Sequence, residues 1–69
     1  MTRDQLTAVG EALYGLRWQS DLSRDLNVAL RTVQRWGAGQ RGIPDTLSDD
    51  LRPLLEQRRI DIDDLLKSI

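Results

Sequence analysis

Residues 19–38 read QSDLSRDLNVALRTVQRWGA, and their order decides the fold. Two short apolar patterns at helical spacing flank Asn27, a residue that tolerates positive φ. Ser23 supplies the small side chain needed where two helices cross through a tight turn. Leu22, Leu26, Val28, Val33 and Trp36 occupy the five places that such a pair must turn inward. The window therefore reads as a helix-turn-helix, with helices over about Gln19–Leu26 and Leu30–Ala38. Gly37 and Gly39 are expected to end the second helix.

The chain on either side extends the helical reading. Thr2 and Gln5 have the spacing of a capping box, with Met1 and Leu6 placed as a hydrophobic staple. Leu6, Val9, Leu13 and Leu16 follow on one stripe, and Gly15 is a stop. A fourth apolar set is Leu47, Leu51, Leu54 and Leu55. Pro53 within it either kinks that helix or lies in the first turn of one starting at about Asp50. Ile60, Asp61 and Leu65 read as a second staple around an N-cap, which predicts a separate short apolar helix over 60–69. The expectation is an all-α, compact bundle of about five short helices. Residues 1–59 would form the helix-turn-helix domain and residues 60–69 a dimerisation helix.

Composition narrows the chemistry. The chain of 69 residues has no Cys and no His. Disulfides, thiolate nucleophiles, cysteine zinc sites and imidazole-based catalysis are thereby excluded. No catalytic residue, metal or cofactor is expected, and an enzyme is not. No signal-peptide h-region or apolar run of membrane-spanning length is present, which points to a soluble cytoplasmic protein. Net charge is −1, but its distribution is uneven. Leu26 to Pro44 holds three cations, Arg31, Arg35 and Arg41, and no acid. Asp45 to Ile69 holds seven acids and four cations. A polyanion responds to local potential, and a distant acidic face is screened within a Debye length.

The segments Tyr14–Ser20 (YGLRWQS), Arg31–Trp36 (RTVQRW) and Gly39–Arg41 (GQR) together resemble the lambda-repressor-like family of helix-turn-helix regulators. The likeness covers roughly residues 6–58 and extends to the small regulators of phage and bacteria. The chain departs from the family pattern at Ala29, where a capping Ser or Thr is usual, and at Leu30, where a polar residue is common. The missing cap weakens the start of that helix by about 1 kcal/mol.

The resemblance implies that the third helix enters the major groove of double-stranded DNA, its outward side chains against base edges. Those positions are Ala29, Leu30, Arg31, Gln34 and Arg35. Arg matches guanine O6 and N7, and Gln matches adenine N6 and N7. Arg31 and Gln34 share a face and are assigned direct readout; Arg35 serves either a base or a phosphate. Ala29 and Leu30 suit thymine methyl groups, though Leu30 reads equally well as one isolated exposed apolar residue. Gln19, Thr32, Gln40, Arg41 and Arg17 are phosphate candidates. Arg24 is expected to pair with Asp21 three residues before it.

One module reads few bases, so a homodimer on two half-sites about 34 Å apart is expected. Leu54, Leu55, Ile60, Ile62, Leu65, Leu66 and Ile69 are the candidate interface. The functional expectation is a sequence-specific transcriptional regulator, an autorepressor at an inverted-repeat operator, without a small-molecule effector. Small regulators of phage, antitoxin and anti-CRISPR-associated operons provide the analogy. The alternative is a protein-interaction module, an antitoxin or an inhibitor, that uses the same fold.

Overall fold

The first helix, α1 (Arg3–Tyr14), begins at the expected capping box. The Gln5 backbone N–H donates to Thr2 Oγ1 at 3.1 Å, and the Thr2 N–H donates to Gln5 Oε1 at 2.8 Å. Gly15 stops the helix at φ 85°, its N–H donating to the Glu11 carbonyl. Stopping there leaves Leu16 outside the helix and 88% exposed, so Leu6, Val9 and Leu13 alone form the inward stripe. The computed structural model describes residues 1–69 as four helices and no strand.

Helix α2 (Trp18–Leu26) starts one residue before the expected Gln19. It ends at Asn27, which is left-handed at φ 56° and is the one non-glycine residue with positive φ. The N–H groups of Asn27 and Val28 fold back onto the carbonyls of Arg24 and Ser23 at 3.2 and 3.0 Å. Ser23 is buried, and its hydroxyl donates to the Ser20 carbonyl at 2.7 Å, so no polar group is orphaned there. Helix α3 (Leu30–Ala38) follows after three residues and ends at Gly39, left-handed at φ 75°.

The last helix departs from expectation. In place of two short helices there is one, α4 (Leu47–Ser68), so the bundle has four helices rather than about five. Asp61 is not an N-cap: it lies inside α4 and accepts a hydrogen bond from Gln57 Nε2 at 3.0 Å. Once a helix is running, each further residue adds a backbone hydrogen bond without a new nucleation cost. Strong start signals at 60–65 therefore did not restart the helix. Pro53 also lies inside α4 and neither begins nor ends it.

The core is Leu6, Trp18, Leu22, Val33, Trp36, Leu47 and Leu51, with Val9, Leu26, Val28 and Leu54 packed against it. Burying each large apolar side chain contributes about 1.5–3 kcal/mol. Both tryptophans are core residues, each 5% exposed. Trp18 lies on Gly10, where an added Cβ would fall 2.3 Å from the indole. Helix α1 packs against α2, α3 and α4, and α2 packs against α3.

Candidate nucleic-acid interface

Helix α3 is held from behind by Val33 and Trp36, both buried. That leaves Arg31 and Gln34 exposed on the outer face, with Arg35 half-buried beside them. Arg31, Gln34, Arg35, Ala38 and Gln40 surround one hollow of about 280 Å³. No carboxylate lines it. The ion pairs of the molecule are Arg24–Asp21, as expected from their spacing, and Arg59–Glu56. Arg31, Arg35 and Arg41 are in neither, so their charge is uncompensated at the surface.

Gln40 reaches this hollow because Gly39 turns the chain. The Gly39 N–H donates to the Trp36 carbonyl at 3.2 Å, and the Gln40 N–H to the Arg35 carbonyl at 2.9 Å. Arg3 Nη1 donates to the Ala38 carbonyl at 3.3 Å, placing a cation at the C-terminus of α3, where the helix dipole favours it. A Cβ on Gly39 would lie 2.8 Å from that nitrogen. Sequence reading missed Arg3 because it lies 35 residues away from Ala38, with no periodicity to link them.

The other candidates are arranged around this centre rather than in it. Gln19 is half-buried, and its Nε2 stands over Gly37, next to the hollow's Ala38. Ala29 is the N-cap of α3 and makes no side-chain cap, as its identity predicts. Leu30 is 39% exposed, and Thr32 is half-buried. Arg17 is the exposed N-cap of α2, and Arg41 is exposed beyond α3. None of these six lines the hollow.

The expected dimer residues divide in two. Leu54 packs against the core and Leu55 is half-buried. Ile60, Ile62, Leu65, Leu66 and Ile69 are 48, 49, 65, 63 and 100% exposed. Arg58 Nη2 donates to the Leu13 carbonyl and ties the middle of α4 to α1. Beyond it, the side-chain hydrogen bond of Ser68 stays within α4.

Two further hollows exist. One of about 240 Å³ lies between α1, α2 and α4, lined by Leu13, Tyr14, Asp25, Leu54, Gln57, Arg58 and Asp61. In it the Tyr14 hydroxyl donates to Asp25 Oδ2 at 2.6 Å. Burial and, after it, the Asp25 carboxylate push the Tyr14 phenol up to about 12. The other, about 170 Å³, borders Trp36, whose indole N–H is buried without a partner. No group of three His, Cys, Asp or Glu side chains is placed to hold a metal ion. No helix is long and apolar enough to cross a membrane. In comparisons with family models, curated proteins and solved structures, the chain matches none of them.

Proposed function

We infer that the protein is a helix-turn-helix regulator that binds double-stranded DNA through α3. One observation carries the reading: Arg31, Gln34, Arg35 and Gln40 converge on one acid-free hollow on the outer face of α3. Guanidinium and amide groups on one helix face are the side chains that read guanine and adenine edges in a major groove. Arg31 and Gln34, exposed and one turn apart, take direct readout. Arg35, half-buried, is more restricted and takes the nearest base or phosphate. Gln40, Gln19, Thr32, Arg17 and Arg41 surround the face and take phosphates. Ala29 and Leu30 lead the helix and offer apolar contact to thymine methyl groups.

The protein acts as a homodimer at an inverted repeat, and controls its own gene from the cytoplasm through its concentration. The test is a gel shift on the DNA immediately upstream of the protein's own gene, against scrambled DNA of equal length. Specific retardation that weakens steeply with added salt is expected, because each phosphate contact releases counterions. Equal binding to both DNAs, or a flat salt response, would overturn the reading.

A further inference from the structure

Arg3 stands where a cation is locally unfavourable. It opens α1, and the positive end of that helix's own dipole favours acids there, such as Asp4. Arg3 is exposed and joins neither ion pair of the molecule. Its side chain leaves α1 and reaches the far end of α3, where Nη1 donates to the Ala38 carbonyl at 3.3 Å. The guanidinium lies over the turn at Gly39: a Cβ there would fall 2.8 Å from Nη1 and 3.6 Å from Cζ.

That end of α3 needs a cation if it is to meet DNA. Its last carbonyls carry the negative end of the helix dipole, which repels a phosphate. Gln40 and Arg41, two of the expected phosphate ligands, follow directly after it. Within the last turn of α3 the basic residue is Arg35, which is half-buried on the wall of the hollow. Arg3 supplies positive charge to the same end from outside the helix, at Ala38 on the rim of that hollow. A guanidinium has five N–H donors in a planar fork. One bond to Ala38 leaves donors for the oxygens of a phosphate. The start of α1 is not itself the site, because Thr2 and Gln5 already close its capping box.

We propose that Arg3 is a further DNA-phosphate ligand, contributed by α1, which with Gln40 completes a site at the C-terminal end of α3. Nη1 keeps the Ala38 carbonyl, and the remaining N–H groups take the phosphate. The proposal rests on the reading that α3 faces DNA. It does not rest on sequence-specific binding, since phosphates are common to every sequence.

The test is the salt dependence of DNA affinity for the full chain, on upstream and scrambled DNA. A cation on a phosphate contributes about 0.9 to the slope of log affinity against log salt. Arg3→Gln should therefore weaken binding to both DNAs alike. Its loss of affinity between about 50 and about 200 mM salt should be about threefold smaller than that of the natural chain. Arg3→Lys keeps the charge and should keep the natural slope. Arg3 is exposed, so neither variant should unfold. Arg24→Gln removes an arginine already paired with Asp21, changes net charge equally, and should leave the slope as it is. Weaker binding at an unchanged slope in Arg3→Gln would make Arg3 a brace of the Gly39 turn and overturn the proposal. So would an equal change of slope in Arg24→Gln, which would report net charge alone. If the natural chain binds neither DNA, the DNA reading fails and this one with it. If it binds both equally while Arg3→Gln alone loses slope, specific regulation fails and the phosphate contact stands.

Discussion

Helix α3 and the outer half of α4 are both surface helices, and they are incomplete in opposite ways. Helix α3 buries Val33 and Trp36, leaves only Leu30 of its large apolar residues exposed, and shows unpaired arginines. The outer half of α4 shows its apolar residues, because the body of the protein ends before it does. A 22-residue helix is about 33 Å long. The molecule measures 43 × 21 × 21 Å, and α4 is the only helix long enough to run well beyond the 21 Å body. One surface therefore has excess charge over a finished core, and the other has excess hydrophobicity with no core behind it. The first suits a polyanion and the second suits another helix.

The comparison can be broken most severely from the core. Leu22→Ala, at a fully buried position, should destabilise by about 2–5 kcal/mol and abolish both surfaces together, measured by urea unfolding. If α3 kept its DNA affinity in an unfolded variant, the division between core and surface would be wrong. Arg31→Ala or Gln34→Ala should cost about 1–3 kcal/mol in operator affinity and relax one base position. Both variants should sediment and melt like the natural chain, since neither position is in the core.

Deleting residues 61–69 should do the reverse. Dimerisation should be lost, while the unfolding free energy of the monomer changes by less than about 1 kcal/mol, as for exposed positions generally. A large loss of monomer stability would mean that the tail supports the body. A smaller effect sharpens the contrast between helix starts. Ala29→Ser should stabilise α3 by about 1 kcal/mol in thermal melting, because α1 has a side-chain cap and α3 has none.

The smallest effect is one of pH. Tyr14 titrates at about 12 in the fold, above its ordinary value of 10. Its contribution is therefore complete below pH 10 and lost as pH rises toward 12. The melting temperature of the natural chain should fall over that range by more than that of Tyr14→Phe. An equal fall in both would remove the Tyr14–Asp25 bond from the account.

Short-range chemistry was the legible part. The Thr2–Gln5 box, the left-handed Asn27, the bounds of α3 and the inward spacing of Val33 and Trp36 depend on residues within a few positions of each other. At the candidate site, Arg31, Gln34 and Arg35 follow from helical spacing, whereas the place of Gln40 beside them depends on the left-handed turn at Gly39. Arg3 does not follow from spacing either, because a bond spanning 35 residues leaves no local trace. Gly10 left a weak trace, a glycine inside an amphipathic helix, but its partner Trp18 is visible only in the packed fold.

By itself, then, the order of residues determined that this chain is helical, where α2 turns into α3, and which face of α3 is cationic. Capping, periodicity and charge act over one or two turns and are written in consecutive residues. Only the tertiary structure decided that α4 passes unbroken through Pro53 and Asp61, that Leu16 falls outside α1, and that the last apolar turns have no cover. Those outcomes depend on where distant helices end relative to one another, a distance in space that no local pattern encodes.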